Sequence, residues 1–313
     1  MTLPYTLQQL RIVKAIASEH NFTKAAERLY ISQPCLSKQV KNLEERLGVR
    51  LITRTNNKTG FTEAGKIFLT YSERILALCE ESCRALNDLH NGDRGDLNIG
   101  ASQTIGTYLI PRVLALFVQT YPQIKLKVQV NSTRVMLKNI LNHNIDIAIV
   151  GGHIPKIMKK KLRIESFVED EFLLIIPKLH PFAMLDKKII NKNDLYNLNF
   201  ITLHSNSTVH KHINQTLRKN HIETNQLKIV MQLDSIEAIK AAVSLGLGVA
   251  FVSSAAIEKE LTLKSIEIID IRNFKIKRTL SIVTNPNCKK SRAFELFYKE
   301  LLALKKSSVF KEL

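Results

Sequence analysis

The chain has 313 residues, with 46 Lys or Arg against 28 Asp or Glu, a formal net charge of +18 and 45% apolar residues. That length suits two or three domains, the composition is that of a folded chain, and the charge excess favours an acidic polymer or an anionic surface as partner. No run reaches the roughly 18 uncharged apolar residues of a membrane span. The start, MTLPYTLQQLRIVKAI, has charges inside its apolar run, so no secretory signal is expected. Cys35, Cys79, Cys83 and Cys288 form no CxxC or Cys/His cluster, which argues against a disulfide scaffold or a zinc site and fits a reducing compartment.

Residues 5–62 are predicted to fold as short helices in quick succession. Leu7, Leu10, Val13 and Ala17 recur at helical spacing. Thr23 is expected to cap a second helix over residues 24–29, and Ser32 a third over residues 33–47, with Pro34 in its first turn and Gly48 at its end. Leu36, Val40, Leu43 and Leu47 share the buried side of that third helix, and the small pair Ala25-Ala26 permits a close crossing. This is helix-turn-helix spacing. Ser32, Gln33, Ser37, Lys38 and Lys41 lie off the apolar stripe. They suit the base edges and phosphates of a major groove, and equally a plain solvated face. A strand over residues 49–53, a turn over 54–60 and a return strand at Phe61-Thr62 make a wing that offers Arg54 and Lys58 to the backbone or minor groove. Positions 1–62 carry ten Lys or Arg against four acids.

Residues 63–89 contain no proline and no glycine after Gly65. Ile67, Tyr71, Ile75, Leu78, Ser82, Ala85 and Leu89 follow a helical stripe, widened by Leu76, Cys79, Cys83 and Leu86. A helix of about 27 residues is about 40 Å long, longer than one core needs. Either it pairs with a partner or it packs on its own domain. Cys79 and Cys83, at i and i+4, suit a redox pair or apolar packing. Residues 91–96 read as a loop and boundary.

Beyond it, strands at 97–101, 124–130, 146–150, 172–176, 200–203, 249–252, 266–271 and 278–284 alternate with helices at 109–121, 133–143, 207–220, 235–246 and 290–305, which predicts an α/β sheet. The basic run Lys156, Lys159, Lys160, Lys161 and Arg163 reads as solvated surface, with contact to bent DNA as the alternative. There is no HExxH, GxSxG, P-loop or strand-linked GxGxxG, so no catalytic, metal-ligating or cofactor-binding residues are assigned.

The run Phe22-Thr23-x-Ala25-Ala26-x-x-Leu29-x-x-Ser32-Gln33-Pro34-x-Leu36-Ser37-x-Gln39-x-x-x-Leu43-Glu44-x-x-Leu47-Gly48, with Leu51-x-x-Arg54 and Phe61-Thr62-x-Ala64-Gly65, resembles the winged helix-turn-helix of LysR-type transcriptional regulators. The resemblance implies that Ser32, Gln33, Pro34, Ser37 and Gln39 face DNA; Cys35 stands where the family usually has Ala. Leu97-x-Ile99-Gly100-Ala101-Ser102, Phe117-x-x-x-Tyr121-Pro122-x-Ile124-x-Leu126, Asp146-Ile147-Ala148-Ile149 and Gly246-x-Gly248-Val249-Ala250 are similar to the family's effector domain. The implied fold is α/β with an N-terminal winged helix-turn-helix (1–62), a long linker and dimerisation helix (63–92) and a two-lobed, periplasmic-binding-protein-like effector domain (93–313). Lobe I would comprise 96–165 and 268–313, and lobe II 166–267.

A ligand in the cleft of that fold would meet Ser102, Gln103 and Thr104 on one side. Thr202, His204, Asn206 and Ser207 would face it from the other, with Phe251 in the wall. The hydroxyl residues also suit helix capping. The stretches LTYSERILALCEESCRAL, Gly100-ASQTIGTYLIPR, Gly151-Gly152-x-Ile154-Pro155 and Ala250-Phe251-Val252-Ser253 resemble the RuBisCO operon transcriptional regulators of cyanobacteria and algal plastids, with Ser253 where most of the wider family has Pro.

This implies a sequence-specific regulator of double-stranded DNA, gated by a small anionic metabolite such as a phosphorylated Calvin-cycle sugar or a nicotinamide phosphate. It would be a homodimer or homotetramer with no membrane partner. The Lys, Ile and Asn bias points to the plastid stroma, the bacterial cytoplasm being the alternative. The alternatives in function are a LysR-type regulator of another metabolic operon and, in a different class, a ligand-binding module or enzyme without DNA function.

Overall fold

The computed structural model describes residues 3–55, 58–91, 95–184, 188–288 and 290–306. Proximity divides the chain into two compact units, Met1–His90 with Asn142–Asn144, and Asn91–Leu141 with Ile145–Leu313.

In the first unit, α1 (Leu7–Glu19), α2 (Phe22–Arg28) and α3 (Gln33–Leu47) enclose a core that includes Ile12, Val13, Ile16, Ala25, Leu36 and Leu43. The chain itself dictates each start. The Thr6 hydroxyl accepts from the Gln9 backbone N–H and the Gln9 side chain accepts from the Thr6 N–H, a capping box. Leu7 is exposed; the buried stripe of α1 is Leu10, Ile12, Val13, Ala15 and Ile16. Asn21, and not Thr23, caps α2, its carboxamide oxygen accepting from the Lys24 N–H at 3.0 Å. The shift follows from Phe22, which turns into the core as the first helical residue and so leaves the cap to the position before it. Ser32 caps α3, and Gly48 ends it at φ +67, a left-handed turn that glycine adopts without penalty.

The wing pairs β1 (Ile52–Thr55) with β2 (Lys58–Phe61), antiparallel, Ile52 opposite Phe61. The first strand starts three residues later than the sequence predicts. Glu44 Oε1 accepts from the N–H groups of Leu51 and Ile52 at 2.7 and 3.1 Å, so α3 holds this backbone where a partner strand would otherwise be needed. Arg54 and Lys58 consequently sit in the two strands and not in the turn. Their side chains lie outside the described residues, as do Asn56 and Asn57. Next comes α4 (Glu63–Asn91), continuous over 29 residues. A Cβ at Gly65 would stand 1.9 Å from the Leu51 carbonyl oxygen, so only glycine lets the helix start this close to the wing.

In the second unit, β3 (Gly95–Ser102), a π-helical turn (Ile105–Leu109), α5 (Ile110–Thr120), β4 (Ile124–Asn131), α6 (Thr133–Leu141), β5 (Ile147–Val150) and the short α7 (Lys156–Lys159) lead into a 15-residue strand, β6 (Arg163–Pro177). There follow β7 (Ile189–Ile190), β8 (Asn199–Leu203), α8 (Thr208–Lys219), β9 (Lys228–Leu233), α9 (Ile236–Ser244), β10 (Ala250–Ser253), α10 (Glu258–Thr262), β11 (Ile266–Ile271), β12 (Ile276–Thr284) and α11 (Arg292–Lys306). The main sheet runs β4-β3-β5-β12-β6-β11-β7, with β10 also paired to β6, while β8 and β9 pair in parallel. The basic run at 156–163 is exposed at all five cations.

Two lobes share this unit. One core holds Leu97, Ile99, Phe117, Phe167, Ile282 and Phe297; another holds Phe172, Leu174, Phe200, Ile269, Ile271 and Ile276. β6 and β12 pass from one core to the other as an antiparallel pair. The crossings therefore fall near 168–171 and 277–279, later than the 165/166 and 267/268 boundaries implied above. The reason is β11: it must pair with β6 and β7 to bury Ile269 and Ile271 before the chain can return. β9 has no counterpart among the predicted strands, and its Ile229 and Val230 are exposed.

Two tests follow from this packing. Glu44→Ala leaves the Leu51 and Ile52 N–H groups without their acceptor, at a cost of about 1–3 kcal/mol; denaturant unfolding and faster hydrogen exchange at those two amides measure it. In lobe II, burial holds His210 and His212 below the ordinary imidazole range, and the Asn214 amide donates to His210 Nε2, a bond open only to the neutral ring. The unfolded chain takes up these protons below about pH 6.5 while the folded chain does not, so this contribution is complete above that pH and lost as pH falls. Melting temperature is expected to drop between about pH 7 and 5, and His210→Gln with His212→Gln to flatten the drop.

Candidate functional site

Three surfaces concentrate the chemistry. The first is α3. Its buried side carries Leu36, Val40 and Leu43; its outer side exposes Ser32, Gln33, Pro34, Cys35, Lys38 and Lys41, with Ser37 and Gln39 half-buried. Gln33 Nε2 donates to Ser37 Oγ at 3.0 Å, and Gln9 Nε2 to Gln39 Oε1 at 3.4 Å, so two of the amides are held before any partner arrives. Tyr30, in the turn before the helix, has a left-handed φ of 55 and is 96% exposed. The sequence reading passed over it; a bulky residue at positive φ costs free energy and turns the ring outward.

The second surface is the exposed side of α4. Ile67, Tyr71 and Leu78 are exposed on it, although they are large and apolar. Leu76 and Ala77 point the other way and are buried. Cys79 is half-buried and Cys83 exposed; the side chains of Ala85 and Leu89 lie outside the described residues.

The third is a cleft of about 280 Å³ between the lobes. Four helix starts converge there: residues 103–104 and α6 from one lobe, α8 and α9 from the other. Ser207 and Ser235 cap the last two, their hydroxyls accepting from the Val209 and Ala238 N–H groups. Unpaired N–H groups at such ends favour anions. Of the residues expected here, Ser102, Gln103, Thr104, His204, Asn206 and Ser207 line the cleft. Ser102 Oγ accepts from the Gly151 N–H at 3.2 Å. His204 Nε2 lies 3.6 Å from Asp234 Oδ1.

Thr202 and Phe251 do not join them. They line a separate apolar cavity of about 250 Å³ inside lobe II, where Phe251 stacks on Phe200 at 5.7 Å. Both lie within strands of lobe II, Thr202 on β8 and Phe251 on β10, whereas His204, Asn206 and Ser207 follow the end of β8 and so reach the cleft.

The sequence reading also missed a buried charge pair of which one member, Arg278, reaches the cleft lining. Arg278 on β12 and Asp170 on β6 are register partners, 6% and 1% exposed. Arg278 Nε donates to Asp170 Oδ2 at 2.6 Å, and Nη2 lies 2.6 Å from the same oxygen in a geometry that forms no hydrogen bond. Ser253 Oγ donates to the other oxygen, Oδ1, at 2.7 Å, and Ser254 Oγ at 3.4 Å. The guanidinium also lies 4.5 Å above the Phe172 ring. Burial pulls Arg278 down from its ordinary range and Asp170 opposes that pull; a guanidinium keeps its proton regardless. The signal was present in the strand pattern, because Arg278 shares the inward face of Ile276 and Leu280, where a charge is unusual.

At the rim, Tyr108 of lobe I donates to Glu237 of lobe II at 2.6 Å, beside the buried Lys240, which lies 3.0 Å from Glu237 and 2.9 Å from Glu260. Burial and the Glu237 carboxylate push the Tyr108 hydroxyl well above its ordinary range, so it stays a donor.

Known proteins share this organisation. Residues 7–66 match the family of bacterial regulatory helix-turn-helix proteins of the lysR type, and residues 90–305 match the LysR substrate binding domain. The chain is similar to a probable RuBisCO transcriptional regulator of Phaeodactylum tricornutum, 69% identical over 97% of this chain and 98% of that one. A protein of the same description from Thalassiosira pseudonana is 65% identical over 97% and 99%. Among solved structures, a full-length OxyR variant from Pseudomonas aeruginosa superposes with a TM-score of 0.73 at 24% identity, covering 98% of this chain and 97% of that one. The regulatory domain of Synechocystis CcmR in complex with 2-PG does so at 0.60 and 25% identity, covering 68% and 98%. With both family matches and relatives this similar along nearly its whole length, the chain belongs to the LysR family of transcriptional regulators.

Proposed function

We propose that this regulator controls the RuBisCO operon of an algal plastid, reading its operator through α3 and the wing and taking an anionic metabolite in the interlobe cleft. The observation that carries the reading is the polar side of α3: exposed, partly pre-bonded, and set on a unit with an excess of six cations over positions 1–62. Gln33, Ser37 and Gln39 read base edges, with Ser32 and Pro34 packed against the backbone. Lys38, Lys41, Arg54 and Lys58 meet phosphates. Residues 1–62 thus serve as the DNA-binding domain, 63–92 as the dimerising linker and 93–313 as the effector-binding domain.

Support for the operon and the compartment comes from the relatives named above and from the Lys, Ile and Asn bias of the chain. Support for the ligand comes from the four helix starts, and from the CcmR domain, whose structure carries 2-PG. The exposed apolar side of α4 takes a second copy of the chain, since such a stripe on a long helix is costly in water. Two copies then present two α3 helices to successive major grooves, about 34–36 Å apart. A metabolite that prefers one lobe arrangement shifts the population of DNA-binding geometries by its differential affinity.

Footprinting upstream of the RuBisCO genes, with gel shifts over a salt series, tests the reading. Binding is expected to be sequence-specific and to weaken steeply with salt; equal affinity for every duplex refutes it. Gln33→Ala should relax preference at one base pair, whereas Lys58→Ala should weaken all sequences alike and lower the salt slope by about one. Separately, Ile67→Glu with Leu78→Glu is expected to convert the oligomer to monomer in analytical ultracentrifugation and to lower operator affinity with it.

A further inference from the structure

We propose that Arg278 is the anchor for the acidic group of the effector, and that Asp170 is an internal rival anion that sets the affinity and ties binding to the hinge. The proposal rests on the cleft being the effector site and deepens it by naming the group that meets the ligand's charge.

Helix starts alone are weak selectors, and the cleft also contains Asp234 and Glu237, which repel an anion. Among the described residues lining it, Arg278 is the one Lys or Arg. Its pairing is unusual. A guanidinium and a carboxylate ordinarily form a fork with two parallel bonds. Here Ser253 and Ser254 occupy Asp170 Oδ1, and Arg278 is left to crowd two nitrogens on Oδ2, with Nη2 buried and without a hydrogen bond. Buried unsatisfied donors on a charged group are costly and uncommon. Thr133 Oγ1, at the start of α6 and also in the cleft lining, is buried without a partner too. Arg278 Nη2, ion-paired but not hydrogen-bonded, and the Thr133 hydroxyl thus line the same space, and a phosphate or carboxylate satisfies both.

The two serines explain how an exchange is possible. When Arg278 turns to an incoming anion, Asp170 retains two hydroxyl donors and does not become a bare buried charge, the state that makes breaking an ion pair prohibitive. Phe172 keeps the guanidinium seated from below while it turns. Because Arg278 and Asp170 lie opposite each other on the two strands that join the lobes, beside the bulge between Thr279 and Ser281, loosening their bond loosens the hinge at the moment of binding.

Calorimetric titration of the full chain with inorganic phosphate and with 2-PG tests this. Asp170→Asn removes the rival charge and keeps the shape; affinity is expected to rise about tenfold or more. Arg278→Lys should weaken binding by about tenfold or more, and Arg278→Met with Asp170→Asn, which buries no unpaired charge, should abolish it. A residue that merely supports the fold would lose affinity in all three, so a gain in Asp170→Asn is the distinguishing result. The proposal is overturned if Asp170→Asn binds no tighter than wild type, or if the double variant, folded by its melting curve, still binds. In those cases a wild-type protein that binds leaves the cleft as the effector site. A wild-type protein that binds neither anion overturns the cleft reading and this proposal together.

Discussion

The antiparallel pair of β6 and β12 is the constraint on which the second unit depends. Each strand contributes one end to either core, so neither lobe is complete without the ribbon that leads to the other. A ribbon that must pass between two cores cannot be apolar throughout, because its middle faces the gap. Asp170 and Arg278 occupy that middle, and their mutual attraction, with the two serine hydrogen bonds to Asp170, offsets part of the cost of removing both charges from water. The cleft is what remains above them. Its hydroxyl-rich walls follow from the same geometry, since strands that end at the gap must hand over to helices there, and helix starts require capping groups.

The first unit solves a different problem with the same means. Three short helices bury too little to hold a hairpin rigidly by contact alone. Glu44 supplies the missing rigidity by reaching from α3 to two wing amides, and Gly65 lets α4 begin against the wing backbone. The polar side of α3 can then stay exposed, since its stability comes from the buried side formed by Leu36, Val40 and Leu43.

Legibility in the sequence followed locality. The caps at Ser32 and Gly48, the length of α4 and most strands of the α/β region were readable because they depend on residues within a turn or two of one another. The motif from Phe22 to Gly65 was dense enough to carry the family. What failed depended on distant partners. The start of β1 was misjudged because Glu44 competes for its amides, and the lobe crossings because β11 pairs with β6 and β7 first. Among the site residues, Ser102, Gln103, Thr104, His204 and Asn206 reach the cleft, whereas Thr202 and Phe251, set within β8 and β10, line the apolar cavity inside lobe II. Arg278 and Asp170 stand 108 positions apart, and no local pattern joins them.

The Leu51 carbonyl has one further consequence. It accepts from the Thr62 N–H and hydroxyl at 3.0 and 3.3 Å, with Gly65 pressed against it. The first turn of the long helix and the base of the hairpin are in effect welded at that oxygen. A rotation of the first turn of the rod therefore acts directly on the base of the hairpin, a pointer on a shaft and not a loose flap.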